Sequence, residues 1–389
     1  MKSTALLLLL LMGFTANAQT TRIADNTPNR PTGANIFATI QAAVNAAVPG
    51  DIVYITPSLT SYGDITISKR IKLVGVGFNT PELGSRSSTL GTITLLSSAD
   101  GVNSTSNSEF RGFYFTDFIF AAGGVGTLPY NSILIEKVSG RFINYSGAHN
   151  PINNLTIRNC SVRAIRVNQP NLNTRIYQNV IQMETTACCS IDGIDNNNGT
   201  NLLITNNLMY FYNNGQNHIP FNLTNSTNAR IEHNLVSGSF IAFRNLTNTP
   251  VTNNIFFGVN PASSGATNFS INVFSNNLVT PGFTIPPAAV GGGANSGLGN
   301  LANLSPLFVN GPASATSFLA GYDYSFPNTS PCYNAATAGD NIGPSGGLYP
   351  LATTVVFAPS AIPLITLFNN SGVVPQNQPL KSNIKAKSN

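Results

Sequence analysis

The sequence has no tryptophan and few charged residues. Charged side chains make up only 8% of its 389 residues, against about 25% in an average globular domain. With 42% hydrophobic residues, the chain does not have the composition of an intrinsically disordered protein. The shortage of glutamate, lysine and arginine also excludes a long, solvent-exposed coiled coil.

No apolar run is long enough to span a bilayer. Lys2, the Leu-rich run from Ala5 to Met12 and the small residues at 16–18 form the pattern of a cleaved signal peptide. We therefore expect residues 1–18 to be a signal peptide and the mature chain to begin at Gln19. The protein is then secreted, extracellular or held at the cell surface. The residue directly after the cleavage site is not a cysteine that could carry a lipid anchor.

Basic residues are only slightly in excess, 19 against 14 acidic ones, for a net charge of +5. Nucleic-acid binding needs a dense basic patch interleaved with aromatic residues, and the sequence has none. We expect no nucleic-acid partner, whereas an acidic polysaccharide remains compatible with this charge.

Only four cysteines occur: Cys160, Cys188, Cys189 and Cys332. No Cys-x-x-Cys is present and the three histidines are scattered, which argues against a structural zinc site. Four cysteines allow three full pairings, and the sequence does not choose among them. A vicinal Cys188–Cys189 disulfide, a bond to Cys160 and free thiols all stay open.

Asparagine is abundant, with 52 copies, and many lie in a repeated phrase between residues 132 and 280. The phrase is an apolar anchor, two polar residues and then asparagine, and successive anchors are 19 to 28 residues apart. The anchors are Ile135, Ile157, Ile176, Ile204, Ile231, Val251 and Phe274. This irregular period indicates a solenoid with loops of variable length.

The repeat favours an all-β fold, a right-handed parallel β-helix, because short alternating segments flank each anchor and no helical period separates them. Each anchor should stack on the previous one inside the coils. The fourth position of the phrase should form a second stack whose amides hydrogen-bond along the column, as in cross-β ladders. The residues of this second stack are Cys160, Asn179, Asn207, Asn234, Asn254 and Asn277.

A short helix should cap the N-terminal end of the solenoid. Asn35 is a candidate N-cap for a helix with Ile40, Ala43, Val44 and Ala47 on one face, and Pro49-Gly50 ends it. Such a helix would cover the open core and strand edge. Strands are predicted to follow at 51–55, 64–67 and 71–75.

Residues 37–51 and 71–75 resemble the opening of right-handed parallel β-helix proteins of the pectate-lyase-like superfamily. Residues 305–310, 323–326, 330–335 and 340–343 resemble the closing coils of secreted β-helix proteins common in Bacteroidetes. The resemblance implies the fold but not one activity, because the superfamily includes lyases, hydrolases, epimerases and non-catalytic adhesins.

These patterns predict one β-helix domain over residues 19–350. The Gly-, Ala- and Pro-rich residues 281–304 should form a long loop before the closing coils. Residues 351–389 should form a C-terminal β cap or tail.

One acidic cluster, Glu184, Asp192 and Asp195, is the candidate metal site. Calcium-dependent lyases of the superfamily use carboxylates to hold Ca²⁺ against a uronate, with a basic residue to remove the C5 proton. The alternative is a turn-rich loop in which Asp and Asn serve left-handed geometry. The paired-aspartate motifs that the galacturonan hydrolases of the superfamily share are absent.

A second candidate is a row six residues after successive anchors: Arg141, Arg163, Gln182 and Tyr210, near Arg166. Such a row would bind a uronate or sulfated chain through Arg forks and Tyr stacking. Arg163 or Arg166 would be the base of a lyase. His218 would approach the Asp192 loop from the next coil as a further substrate-binding residue. The alternative is a solvated outward face.

The sequence thus predicts a monomeric, secreted or cell-surface β-helix that binds polysaccharide without catalysis. The alternative is a polysaccharide lyase that cleaves a uronic-acid glycan by β-elimination, with Ca²⁺ at the acidic cluster. A structural or ice-contacting role ranks lower, because threonines do not recur in register.

Overall fold

The computed structural model describes residues 19–351 except 79–82, 84, 98–103, 124–127, 145–148, 184–191, 212–217, 239–240 and 313–321. It also describes the backbone of 364–370 and 382–387. The predicted signal peptide lies outside these residues.

The described residues contain one helix, α1 (Ile40–Ala46), and many short strands. The first strands are β1 Thr21–Ala24, β2 Ile36–Phe37, β3 Ile52–Ile55, β4 Ile65–Ile67, β5 Lys72–Val74, β6 Thr92–Leu95, β7 Glu109–Arg111, β8 Tyr114–Phe120, β9 Tyr130–Asn131, β10 Leu134–Glu136, β11 Ser139–Ile143 and β12 Ile152–Asn153. The middle strands are β13 Thr156–Arg158, β14 Ser161–Val167, β15 Asn171–Leu172, β16 Arg175–Tyr177, β17 Val180–Met183, β18 Ile194–Asn196, β19 Gly199–Thr200, β20 Leu203–Thr205, β21 Leu208–Phe211, β22 Phe221–Asn222, β23 Arg230–Glu232 and β24 Leu235–Gly238. The last strands are β25 Ile241–Phe243, β26 Leu246–Thr247, β27 Pro250–Thr252, β28 Ile255–Phe257, β29 Asn260–Ser263, β30 Phe269–Ser270, β31 Val273–Ser275, β32 Leu278–Val279, β33 Leu301–Ala302, β34 Leu364–Asn370 and β35 Ser382–Lys387.

These strands form a right-handed parallel β-helix, as predicted. The first sheet has twelve strands in the order β2-β1-β3-β5-β7-β10-β13-β16-β20-β23-β27-β31. The second sheet runs β4-β6-β8-β11-β14-β17-β21-β24-β28-β32-β33, and a branch β18-β22-β25-β29 leaves it at β14. Strands of successive coils pair in parallel, whereas β34 and β35 form an antiparallel hairpin.

The repeated anchors stack inside the coils. Ile135, Ile157, Ile176, Ile204, Ile231, Val251 and Phe274 pair in one continuous register along the first sheet. All seven are fully buried, so the phrase found in the sequence is the repeat of the apolar core.

The second predicted stack is also present, and Asn300 extends it by one coil. Each asparagine Oδ1 accepts from the backbone N–H of the column residue in the preceding coil, at 2.9 to 3.0 Å. Each Nδ2 donates to the carbonyl of an anchor, at 2.7 to 3.0 Å. The column therefore satisfies buried backbone groups at every turn, which is why asparagine is abundant.

The residue before each position of this second stack has a left-handed backbone, with φ between 52° and 59° in seven successive coils. Asparagine tolerates this conformation better than most residues. The third position of the phrase is thus a turn between the two sheets, and the turn residues are Lys137, Asn159, Gln178, Asn206, His233, Asn253 and Asn276.

The capping helix is present, but its N-cap is not the predicted residue. Thr39 Oγ1 accepts from the Ala42 N–H at 3.2 Å, whereas Asn35 Oδ1 accepts from Arg22 Nη1 at 2.5 Å. Asn35 pairs with a neighbouring strand because the helix begins five residues later, at Ile40. Its predicted apolar face, which includes Ala43, is buried.

Residues 281–302 form one more coil, not only the predicted loop. Ser296 bridges Val273 in parallel, and β33 pairs with β32. A Cβ on Gly297 would lie 1.5 Å from the Phe274 carbonyl oxygen. Glycine allows this close approach. Because glycine replaces apolar residues here, the sequence lacks the periodicity that would identify the coil.

Residues 305–351 do not form closing coils in the described part of the chain. The described residues 305–312 and 322–351 run along the outside of the β-helix, and we call them the strap. Gly343 N–H donates to Asn253 O at 2.7 Å, and Gln178 Nε2 donates to Pro350 O at 3.1 Å. The strap therefore runs back towards the N-terminal coils.

The strap covers an apolar column on the outer face of the second sheet. This column consists of Val180, Leu208, Leu235, Ile255 and Leu278, all buried beneath strap residues such as Phe326 and Ile342. Outward-facing positions of a β-helix are ordinarily solvated, so apolar residues at five successive coils need a cover.

No helix in the described part of the chain is long and apolar enough to cross a membrane.

Two of the four cysteines are described, and both are buried free thiols. Burial raises the pKa of the Cys160 and Cys332 thiols to about 12. Cys188 and Cys189 lie outside the described residues, so the predicted vicinal bond stays a prediction.

Candidate functional site

The branch of the second sheet places polar side chains one above another. Ile165, Ile194, Phe221 and Phe243 pair in register and point into the core. Because side chains alternate along a strand, the residue after each of them faces outward. The four outward residues are Arg166, Asp195, Asn222 and Arg244, and we call them the polar column. Neighbouring strands of a sheet lie about 4.8 Å apart.

Asn222 holds two carboxylates together at the centre of the polar column. Its Nδ2 donates to Asp192 Oδ2 at 3.0 Å and to Asp195 Oδ1 at 3.1 Å. Arg244 Nη1 donates to the same Asp192 Oδ2 at 3.0 Å. Three successive coils therefore contribute to one hydrogen-bonded group.

Both carboxylates are buried, and their pKa values are raised. Burial raises the pKa of Asp195 to about 6, with a further contribution from the negative charge of Asp192. Burial also raises the pKa of Asp192, while Arg244 and the Asn222 hydrogen bond oppose the shift.

One oxygen of the group has no partner among the residues that the structure describes. Asp192 Oδ1 is buried and accepts no hydrogen bond from any residue that the structure describes, in a side chain only 7% exposed. A buried carboxylate oxygen without a donor is costly. A donor supplied by a ligand would remove that cost.

The structure brings together four of the residues that the sequence singled out. Asp192 and Asp195 share Asn222, and Arg166 pairs with Asp195 in the strand register. His218 is buried, and its electrostatic interaction lowers the pKa of Asp192, after larger effects of burial and Arg244. Glu184 lies outside the described residues.

The residues of the predicted row are in register, but the side chains at its two ends already contact other parts of the chain. Gln182 pairs with Tyr210, and Arg141 and Arg163 occupy equivalent positions of neighbouring strands. Arg141 forms a two-bond ion pair with Asp117, at 2.6 and 3.2 Å.

Tyr210, at the other end of the row, is only 7% exposed. It lies close to the strap, where burial and the phenols of Tyr322 and Tyr210 raise the pKa of Tyr324. The row is therefore not a continuous open stripe, because Asp117 holds one end and the strap covers the other.

The described donors do not fit a calcium ion. No group of three or more His, Cys, Asp or Glu side chains in the described residues is arranged to hold a metal. Arg244 already supplies a cation to Asp192, whereas Ca²⁺ prefers six to eight oxygen ligands. A calcium site that includes Glu184 stays a prediction.

Sequence reasoning missed Asn222 and Arg244. A second, weaker phrase would have found them, since Ile194-Asp195, Phe221-Asn222 and Phe243-Arg244 each place an apolar residue before a polar one. The spacing between these copies varies with the preceding loops, which hides the phrase in the sequence.

No model of a known protein family matches this chain. No curated protein matches it either.

Proposed function

We propose that the protein binds polysaccharide at the polar column, as a secreted or cell-surface β-helix without catalysis. The observation that carries the proposal is Asp192 Oδ1, a buried acceptor without a partner in the described residues, beside the Arg244 guanidinium. A sugar hydroxyl is a donor of the right size and chemistry for this oxygen.

The composition of the polar column supports an acidic sugar as ligand. Guanidinium groups bind carboxylates and sulfates through paired hydrogen bonds. Arg166 and Arg244 lie at the two ends of the column, with acceptors between them. A chain lying along the β-helix axis would meet a guanidinium group at each end of the column and acceptors between them.

Two sequence patterns agree with this proposal. The N-terminal pattern of residues 1–18 supports export to the compartment where polysaccharides are found. The resemblance to the pectate-lyase-like superfamily and to secreted proteins of Bacteroidetes supports a glycan partner. We further propose that the chain works as a monomer and binds no nucleic acid.

The test is retention on a panel of polysaccharides in native affinity gels. We expect retention by at least one uronic-acid or sulfated polymer, and loss of most of it in Arg244→Ala. Arg175→Ala, an exposed arginine of the first sheet, is the matched control and should leave retention unchanged. Equal retention of both variants would contradict the site, and no retention of the folded wild type would contradict the function.

A polysaccharide lyase is the second candidate, favoured by the position of Arg166 opposite Asp195 in the strand register. In β-elimination a base takes the C5 proton, the C4–O bond breaks and a C4–C5 double bond forms. Arg166 or Arg163 is the candidate base. Ultraviolet absorbance of the unsaturated product, measured on the same panel with calcium and with chelator, distinguishes the two candidates.

A further inference from the structure

Two adjacent depressions lie on the outside of the N-terminal coils and share Arg70 and Asn107. Their volumes are about 360 and about 240 Å³, and the larger lies within the usual range of small-ligand sites. We call the two together the Arg70 groove. It lies about three coils, roughly 14 Å along the axis, from the polar column.

Arg70 supplies a positive charge to the Arg70 groove. Its side chain has no ion-pair or hydrogen-bond partner among the residues that the structure describes, whereas Lys72 at the same groove is paired with Glu109 at 3.3 Å. The backbone of Arg70 is fixed, because its carbonyl accepts from the Gly50 N–H at 2.7 Å. An exposed guanidinium on a fixed backbone is well suited to bind an anion.

Hydroxyl and amide groups line the groove next to Arg70. Ser104 and Ser106 are joined by a 2.9 Å hydrogen bond between their Oγ atoms, and Ser106 Oγ accepts from the Asn131 N–H at 3.0 Å. These bonds fix the two hydroxyls, and Asn107 has a left-handed backbone with φ of 61°.

An apolar wall completes the lining. Leu128 is 42% exposed and lines the groove with Pro49 and Pro129. A cation, fixed hydroxyls, an amide and an apolar wall together match a sugar ring that bears an anionic group. A simple inorganic ion would make no favourable contact with the apolar wall.

We propose that the Arg70 groove binds a carboxylated or sulfated sugar residue, with the guanidinium of Arg70 on the anionic group. This site is separate from the polar column and does not depend on it. A single polysaccharide chain that reached both sites would gain affinity from the second contact without any change at the first.

The test measures binding of fluorescent oligosaccharides to the full chain by anisotropy, in the Arg244→Ala background that removes the polar column. The probes are an oligogalacturonate, a sulfated galactose oligomer and a neutral galactose oligomer. We expect a charged probe to bind and the neutral one not to, and Arg70→Gln to weaken binding about tenfold or more. The better of the two charged probes identifies the anionic group.

Arg175→Gln is the matched control, and both variants should keep the melting temperature of the parent. Equal affinity of Arg70→Gln and Arg175→Gln would overturn the proposal, as would equal binding of the neutral probe. Failure of the polar column is distinguishable, because Arg244→Ala would then leave retention unchanged in a background that carries Arg70→Gln.

Discussion

At the scale of single residues, the buried carboxylates at the polar column lower the stability of the free protein. A ligand that donates a hydrogen bond to them reduces this cost. Asn222 donates to both carboxylates and Asn168 donates to Asp195, whereas Asp192 Oδ1 has no partner among the described residues. Burial raises the pKa of both acids, and the negative charge of Asp192 adds to the shift at Asp195. Groups that cost stability in the free protein are typical of binding sites.

The raised pKa of Asp195 predicts a pH dependence of stability. Because its pKa is about 6 in the folded chain and 3.8 as a free group, the folded state binds more protons between these values. The free energy of unfolding should therefore fall as pH rises through this window. Asp195→Asn should remove much of that slope and stabilise the protein at pH 7 by on the order of 1 to 3 kcal/mol.

Urea unfolding of both proteins between pH 4 and pH 8 checks this. An identical slope in Asp195→Asn and wild type would show that Asp195 does not titrate abnormally.

Ile271 is a second residue under local strain. Its φ is 59° and its side chain is 57% exposed, although β-branched residues rarely adopt left-handed geometry. The equivalent positions of five preceding coils are asparagine: Asn154, Asn173, Asn201, Asn228 and Asn248.

Ile271→Asn should therefore raise the free energy of unfolding by about 1 kcal/mol, since asparagine tolerates this conformation at lower cost. Chemical denaturation measures the change. Val273→Asn, an exposed strand position, is the control and should not stabilise. A destabilised Ile271→Asn would contradict the assignment of strain.

At the scale of elements, the buried asparagine column joins one coil to the next. Each side chain links a backbone N–H of the coil before it to an anchor carbonyl, so the column substitutes for strand pairing at the turn between the sheets. The sequence revealed this column because asparagine occupies the fourth position of the phrase in five successive copies. Asparagines at other turns, such as the exposed Asn201, meet a different requirement, a left-handed backbone.

Asn234→Ala should lower the free energy of unfolding by about 3 kcal/mol. It leaves the buried N–H and Nδ2 of Asn207 without the acceptor that holds them at 3.0 and 2.9 Å. Asn201→Gly is the control, because Asn201 is exposed with φ of 56° and glycine accepts that conformation. Similar losses in both variants would argue against the buried column as the stabilising element.

The sequence predicted elements whose pattern is local and missed those set by distant contacts. Anchors, buried asparagines and the apolar face of α1 follow from spacing within one coil. The strap escaped prediction because Val180, Leu208 and Leu235 are apolar outward residues, which the alternating pattern of a single strand does not explain. Arg244 escaped because loops of unequal length separate it from Asp192.

At the scale of the whole molecule, the strap fastens the outside of the β-helix across several coils. Its apolar residues cover the column that begins at Val180, and its backbone bonds to turn residues such as Asn253. A long segment held mainly on one face can detach without unfolding the coils beneath it.

Ile342→Ala should loosen the strap selectively. Ile342 is fully buried, and loss of its side chain removes about 2 to 4 kcal/mol of packing. We expect faster proteolysis within the strap, with little change in the melting of the coils. Leu348→Ala, at a position 75% exposed in the same segment, should be cleaved at the wild-type rate, and equal cleavage of both variants would contradict this view of the strap.

A crystal structure of the chain with an oligosaccharide of a retained polysaccharide tests sugar binding at the polar column. We expect a sugar hydroxyl within hydrogen-bond distance of Asp192 Oδ1 and an anionic or polar group of the ligand at Arg244. Sugar bound only at other faces of the β-helix, with the polar column unchanged and free of ligand, would contradict the account.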